Sequence, residues 1–345
     1  MKKERGSVLI LVLFVMTVLG IVAVSFAYRA GLESRARRKD AVMVQLRMHA
    51  ASAVAIALGS LLEDKNDFDH RGEPWHTHEQ LSSDDWLPEW GKDRHGRGPD
   101  FATDYHVIDE ESKLNVLFAS SESLAKLGMN SAQVAGLFDW MDADDIPRVE
   151  GAEEGYYSVL ESPYRCKNGP LELLDELLFI RGFDTADFLG EDANHNRILE
   201  LSEDDGSLTY PPDDSNGELR LGWVDLLTCV GDGRINLNTA PRAVLRTLPI
   251  SSEAVEQIVG FRSYGEGSSE KLENHAFRSR KDIDQLQGLT DADRLALRLR
   301  TKFSSTHFRV FVRSIHLPTG LSYHLQVLLR TGPGEAQVMH WRIGS

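Results

Sequence analysis

The run from Ser7 to Ala27, SVLILVLFVMTVLGIVAVSFA, contains no charged residue and limits the chain more than any other stretch. At about 1.5 Å per residue it spans roughly 30 Å as a helix, the thickness of a bilayer's hydrocarbon core. It is longer than the apolar core of an ordinary secretory signal. No small-residue cleavage site with a turn-forming break follows, because the chain runs on as YRAGLESRARRKD. Beyond it, Leu46, Ala50, Ala53, Val54, Ala57, Leu58, Leu61 and Leu62 recur at helical spacing and form one apolar stripe. The pattern predicts one helix from Val8 to Leu62, its first half built for lipid and its second half amphipathic. Orientation is not set by the span. Lys2, Lys3 and Arg5 precede it, while Arg29, Arg35, Arg37, Arg38 and Lys39 follow. The positive-inside rule taken alone puts the C-terminal body in the cytoplasm.

The 345 residues have room for two or three modest domains. Lys and Arg number 38 against 53 for Asp and Glu, a formal charge of −15. Such a surface repels phosphate backbones and argues against nucleic acid as a partner. Acid clusters suit divalent cations or plain solubility instead. The two cysteines, Cys166 and Cys229, allow one disulfide or two unpaired thiols. There is no CxxC pair, which rules out a cysteine zinc site.

Residues 64–100 are rich in Asp, Gly, Pro and His and read as loop, with His76 and His78 as exposed loop histidines. FATDYHVIDEESKLNVL reads as strand, turn and second strand. From Phe118 to Arg300 helical patterns dominate. The end, HFRVFVRSIHLPTGLSYHLQVLLRT, reads as a β-hairpin joined by LPTG, and AQVMHWRIGS as material for a last strand. β elements flanking a helical block predict an α+β domain with a helical insertion.

Within that block an internal repeat aligns without gaps. KLNVLFASSESLAKLGMNSAQVAGLFDW (from Lys113) matches RINLNTAPRAVLRTLPISSEAVEQIVGF (from Arg234), pairing Asn115 with Asn236 and Ala119 with Ala240. Each copy reads as strand end, short helix, turn and second helix, similar to a helix-hairpin-helix unit. DNA-binding hairpins of this kind present backbone N–H groups through a Gly-rich turn. Here that turn is Pro249-Ile250-Ser251-Ser252, so a packing module is the better reading. A membrane-anchored DNA-binding protein of the competence type is the alternative.

DANHNRILELSE carries the sharpest chemical signal. Asp192, Asn194, Asn196, Ile198, Glu200 and Glu203 fall at positions 1, 3, 5, 7, 9 and 12 of a calcium loop. Alternating side-chain oxygens, one backbone carbonyl and a terminal carboxylate can supply the six to eight oxygens that Ca²⁺ takes. Arg197 replaces the usual Gly at position 6, where a left-handed backbone costs roughly 1–2 kcal/mol. Asp142, Asp144, Asp145, Glu153 and Glu154 form a second, looser acidic candidate. No Gly-rich, Ser/His or basic substrate-binding signature accompanies these acids, so the residues do not point to an enzyme.

These features converge on a family. RGSVLILVLFVM resembles a type IV prepilin-like leader with cleavage after Gly6. DWMDADDIPRVEGAEEGYYSVLESPYRCKNGPLELLDELLFIRGFD and GRINLNTAPRAVLRTLP resemble the body of the K-class (GspK-like) minor pseudopilins of type II secretion. The resemblance implies a leader 1–6, a transmembrane and amphipathic helix 7–62, an α/β part 63–117, a helical inserted domain 118–300 and C-terminal strands 301–345. It implies a pseudopilin fold, cleavage by the prepilin peptidase and methylation of Ser7. It also implies a single-pass inner-membrane anchor with a cytoplasmic N-terminus and a periplasmic body, against the charge count. Implied partners are the I-class and J-class minor pseudopilins and the inner-membrane assembly platform. Calcium in the helical domain belongs to the same resemblance. Leu11 occupies the fifth mature position, where most pseudopilins carry a Glu that can neutralise a neighbour's N-terminal amine. Its absence fits a subunit with nothing in front of it, at the tip of the pseudopilus.

Overall fold

Nothing between Arg5 and Glu63 interrupts a helix: the segment lacks proline, and its glycines at 20, 31 and 59 face open space. The computed structural model describes residues 5–76, 100–193, 195, 197, 199–208, 210–263, 275–332 and 334–344. Helix α1 runs unbroken over Arg5–Glu63. Its N-terminal part has a mean hydropathy of 2.9 and touches nothing, so it is long and apolar enough to cross a membrane. Burial begins only at Leu46. Leu46, Ala50, Ala53, Ala57 and Leu61 then form the face that packs on a sheet. Three of these five are alanines, which lets the helix axis approach the strands closely.

That sheet has four strands in the order β1-β6-β7-β8, antiparallel throughout. Strand β1 is Phe101–Asp109; β6 (His307–His316), β7 (Leu321–Gly332) and β8 (Glu335–Gly344) follow one another at the C-terminus. Period-two alternation puts Tyr105, Val107, Phe308, Val310, Val312, Tyr323, Leu325, Val327 and Leu329 under α1. The LPTG turn between β6 and β7 closes with Gly320 at φ +68, where only glycine is unstrained. EAQVMHWRIG supplies β8.

Neighbours β1 and β6 are joined by nearly two hundred residues, so the helical block is an insertion into one antiparallel connection. The second strand read in KLNVL is only two residues, β2 (Leu114–Asn115). It does not return along β1 but pairs in parallel with β3 (Leu227–Thr228) inside the insert. Helices α2 (Ser121–Leu127) and α3 (Ser131–Met141) follow β2, then short α4 (Glu154–Tyr157) and α5 (Thr185–Leu189). After α6 (Trp223–Leu226), which leads into β3, come β4 (Ile235–Asn236), α7 (Arg242–Leu245), α8 (Ser252–Ser263), α9 (Arg280–Gln285) and α10 (Asp291–Arg300). The last helix runs into β5 (Thr301–Lys302), which pairs in parallel with β4.

The repeat has a shared local cause. Asn115 Oδ1 accepts from the Leu117 amide and Asn236 Oδ1 from the Asn238 amide, both at 3.0 Å, so each copy turns out of its strand through the same side-chain-closed turn. Helix α2 ends on left-handed Gly128, and α3 starts with Asn130 and Gln133 in a reciprocal cap. A third hairpin, α9–α10, was not separated from the helical block by sequence. Asp293 ties it to the second copy, accepting from the Thr290 hydroxyl at 2.7 Å and from the Ser251 amide at 2.7 Å. These pieces enclose their own core around Leu124, Leu137, Trp140, Tyr157, Leu177, Leu237 and Phe277.

Where the insert leaves the sheet, three consecutive acids are buried: Asp109, Glu110 and Glu111. Asp109 Oδ2 accepts from the Thr239 and Ser305 hydroxyls at 2.5 and 2.7 Å. Glu110 binds Lys113, Arg309 and Thr228, and Glu111 binds Lys302 and His307. Side chains of the strand-end and the insert thus meet on one tripeptide, a rigid joint between the two cores.

Asp69 lies beside this joint, taking the Ser305 amide at 2.6 Å. Burial, with the nearby charges of Asp109 and Glu73 adding to it, pushes its carboxyl up to about 8. An acid raised in this way holds its proton in the folded state over pH values where the unfolded chain has lost it. The stability that Asp69 contributes therefore declines as pH rises from about 4 to about 8. Asp69→Asn is expected to flatten that decline, raising stability at pH 8 relative to the parent by on the order of 1–3 kcal/mol. Denaturant melts at pH 5 and pH 8 check this; an unchanged slope with pH would refute it.

Candidate functional site

The crossing of two glycines positions the first candidate site. Gly190, at the end of α5, and Gly222, ahead of α6, approach so closely that a Cβ on either would overlap the other's backbone. The Glu191 amide donates to the Arg220 carbonyl at 2.9 Å, and the Arg220 amide donates to Glu191 Oε2 at 3.1 Å. The loop beginning at Asp192 is thereby closed at its root.

Inside it Asp192, Glu203 and Asp225 are all buried. The Arg197 amide donates to Asp192 Oδ2 at 2.7 Å, and Arg197 sits at φ +63, the left-handed geometry a calcium loop needs at its sixth position. Glu203 takes the Ala193 amide at 2.9 Å and the Glu200 amide at 3.1 Å. Burial first, then the negative charge of Asp225, raises the Asp192 carboxyl to about 7. Asp225 itself accepts at Oδ1 from the His195 ring at 2.8 Å, while its buried Oδ2 has no hydrogen-bond partner. Glu200 points outward and is exposed. Asn194, Asn196 and Ile198 lie outside the described residues. Asp225 was not visible in the sequence motif, since it comes from α6, more than twenty positions beyond the loop.

A second acidic group sits at the C-terminal end of α3. Oxygens of Asp139, Asp142 and Glu153 all lie within 4.8 Å of one another. Arg148 bridges Asp139, at 2.7 Å, and Asp142. Glu153 is only 4% exposed. Neither of its carboxylate oxygens accepts a hydrogen bond, the Cys166 thiol beside it turning to the Asp139 carbonyl at 3.8 Å. Burial pushes the Glu153 carboxyl up, the nearby charges of Asp139 and Asp142 add to it, and the Cys166 thiol beside it acts the other way. Gly151 closes over Asp139 so tightly that a Cβ there would overlap its carboxylate.

Of the five acids in the looser sequence candidate, the structure brings Asp142 and Glu153 together and adds Asp139. Asp139 and Asp142 are spaced three apart at the end of α3, a spacing that puts both on one side of a helix. Asp144 and Asp145 are exposed, Asp144 closing a local turn on the Ile146 amide and Asp145 accepting from the Asn168 side chain 23 positions on. Glu154 takes the Cys166 amide at 2.8 Å. A buried carboxylate with both oxygens bare fits a hard cation, which wants such oxygens and removes the cost of crowding acids. In the first site the bare Oδ2 of Asp225, whose charge acts on Asp192, fits it too.

The remaining acidic group, Asp64, Asp69 and Glu73, holds a loop together instead. Glu73 accepts from Asn66, Trp75 and the His70 amide at 2.5, 2.7 and 3.1 Å. His76 is half-buried against Trp75 rather than exposed, and His78 lies outside the described residues. No disulfide joins Cys166 and Cys229. Both are free thiols, packed against different segments, with the Cys229 sulfur on the Glu172 carbonyl at 3.4 Å. At the hairpin of the second repeat, Arg242 and Arg246 are turned to Glu256 at 3.3 and 4.0 Å. Neither the glycines nor a free basic pair of a phosphate-binding hairpin is present there.

Residues 119–189 match the family model for type II secretion system (T2SS), protein K. The chain is 25% identical over 203 residues to type II secretion system protein K of Pectobacterium carotovorum, covering 53% of this chain and 60% of that protein. It is 28% identical over 277 residues to the protein of the same description from Pseudomonas aeruginosa, covering 75% and 72%. Among solved structures, a chain of the GspK-GspI-GspJ complex from enterotoxigenic Escherichia coli superposes with a TM-score of 0.59 at 14% identity. That match spans 89% of this chain and 99% of the other, and establishes the fold.

Proposed function

We propose that this chain, a GspK-like minor pseudopilin, serves type II secretion as the tip subunit of the pseudopilus, in a structural and not an enzymatic role. The observation that carries the reading is the architecture itself. A long N-terminal helix lies on a four-stranded antiparallel sheet, and a single large insert enters at the β1–β6 connection. The family match falls inside that insert. A bulky insert on a helix-on-sheet body suits the end of a filament, where nothing needs to stack beyond it. Leu11 agrees with this, since a tip subunit has no amine in front of it to neutralise.

On this reading the apolar part of α1 is a single-pass inner-membrane anchor and the body lies in the periplasm. I-class and J-class minor pseudopilins are its partners, by analogy with the solved GspK-GspI-GspJ complex. The prepilin peptidase removes residues 1–6 and methylates Ser7. Calcium is held in the insert by Asp139, Asp142 and Glu153 and by Asp192, Glu203 and Asp225, where it neutralises crowded acids and locks the loops. Asn194, Asn196 and the Ile198 carbonyl complete the second set in the loop's own pattern, with the exposed Glu200 at the ninth position reaching the ion through water.

Leader processing tests the assignment. Co-expressed with a prepilin peptidase, the chain is expected to lose its first six residues and gain one methyl group by intact mass, and Gly6→Val is expected to block both. A mature chain that begins anywhere other than Ser7 would refute the pseudopilin reading.

A further inference from the structure

The apolar run of α1 ends abruptly in charge. Residues 29–39 hold Arg29, Arg35, Arg37, Arg38 and Lys39, with Glu33 as the one acid among them. Helix α1 continues unbroken through this stretch, and all five cations are exposed. Arg37 lies 3.8 Å from Glu33, a solvent-exposed pair that is worth little. Arg29, Arg35, Arg38 and Lys39 meet no acidic side chain among the described residues. The rest of the molecule has the opposite sign. Residues 1–62 hold nine Lys or Arg and three Asp or Glu out of totals of 38 and 53, leaving 29 against 50 beyond them. A basic stretch therefore stands between an apolar span and an acidic body.

Its geometry suits a surface that surrounds the helix. At about 100° per residue the five side chains leave α1 in five directions, with no empty sector wider than about 100°. A protein docking along one side would meet only part of this ring, whereas lipid headgroups enclose a crossing helix completely. The direction of the side chains agrees. Cα–Cβ bonds tilt toward a helix's N-terminus, and here that end is the span, so the cations lean back toward the bilayer. Arg29 lies about 3 Å and Arg35 about 12 Å beyond Ala27 along the axis. A headgroup layer of roughly 5–7 Å and a screening length of about 8 Å put both inside the field of the surface. A tilt of about 20° and long side-chain stems bring Arg37, Arg38 and Lys39 to its edge. Tyr28 is exposed at the border itself, where aromatic rings settle.

We infer that these five residues form a collar that binds anionic phospholipid headgroups on the leaflet facing the body. The lipid is anionic rather than zwitterionic because five cations against one acid gain most from a surface of net negative charge. The collar fixes the depth of α1 and adds contacts that the helix gives up whenever it leaves the bilayer. It also accounts for cations on the side where the body lies, against the ordinary charge asymmetry of membrane proteins. Such a contact needs the span but not the secretion reading, so either can fail alone.

The test uses the full-length chain in phosphatidylcholine vesicles holding trace spin-labelled phosphatidylglycerol or phosphatidylcholine, with the motionally restricted fraction of each label as readout. The parent is expected to prefer the anionic label, and added salt to weaken that preference. Replacing all five cations by glutamine is expected to lower the preference at least about threefold. The leader cations are the same in both chains, so the difference reads the collar alone. The melting temperature is expected to stay within about 2 °C, since glutamine suits a helix and all five positions are exposed. Arg29→Gln with Arg35→Gln is expected to cost more of the preference than Arg38→Gln with Lys39→Gln, because the first pair lies nearer the lipid. Equal preference in the parent and the fivefold variant would overturn the collar, as would the reverse order of the two pairs. Loss of the preference in millimolar inorganic phosphate at matched ionic strength would mark a free-anion site and overturn it too. A fivefold variant that keeps its lipid preference but no longer captures I-class and J-class minor pseudopilins would assign the cations to a protein contact instead.

Discussion

Replacing Glu110 by alanine is expected to destabilise the folded body by about 3–5 kcal/mol, the usual cost of stripping one member from a buried ion cluster. Glu110 is 1% exposed and Lys113 is 2% exposed. The carboxylate accepts from Lys113 Nζ at 2.9 Å, Arg309 Nε at 2.7 Å and the Thr228 hydroxyl at 2.7 Å. Burial opposes its ionisation, but the charges of Arg309 and Lys113 outweigh burial and hold its carboxyl well below the usual range. Removing it leaves two cations inside with one acceptor fewer, and Lys113 is already disfavoured by burial. In a chain of this size the loss corresponds to a fall in melting temperature of about 4–7 °C. Because Glu110 joins β6 to the insert, both cores are expected to loosen together. The control is Glu122→Ala, which breaks the exposed pair with Lys126 and is expected to cost under about 1 kcal/mol. Equal effects from the two substitutions would refute the view that the joint is held by buried charge.

That joint marks the limit of what could be read from the sequence. The α1 stripe and the β6–β7 hairpin were legible because period 3.6 and period 2 are local properties, and LPTG is a local turn. The repeat was legible because Asn115 and Asn236 do the same job two residues ahead of themselves. Asp109-Glu110-Glu111 read only as a turn, since their partners Arg309, Lys302 and Ser305 lie almost two hundred positions away. The same distance problem hid Asp225 from the calcium-loop motif and left the α9–α10 hairpin unresolved in a generally helical stretch. Cys166 and Cys229 left two options open because spacing carries no information on which segments pack together. Asp139 was the readable miss, since its three-residue step to Asp142 stands in the sequence.

The second large effect concerns the glycine crossing, where Gly222→Ala is expected to cost upwards of about 3 kcal/mol and to abolish cation binding at the adjacent loop. The new Cβ would overlap the Leu189 carbonyl carbon and the Phe188 carbonyl oxygen, and these are backbone atoms with no rotamer to yield. The two strands of the loop root must then separate. That breaks the exchange between Glu191 and Arg220 and frees Asp192 from its place beside Asp225 and Glu203. Calcium is expected to raise the parent's melting temperature by several degrees at ten to a hundred times its dissociation constant, about 1.4–2.7 kcal/mol, and a chelator to reverse it. Extracellular modules of this kind bind at about 10⁻⁴–10⁻³ M, so titration to tens of millimolar suffices. Asp225→Asn separates the two consequences. It leaves the glycine crossing untouched, removes one charge from three crowded acids, and is expected to preserve the calcium-free fold while cutting the calcium-induced shift. If Asp225→Asn keeps the full shift, the loop is not where calcium binds. If Gly222→Ala melts like the parent without calcium, the crossing is not what closes the loop.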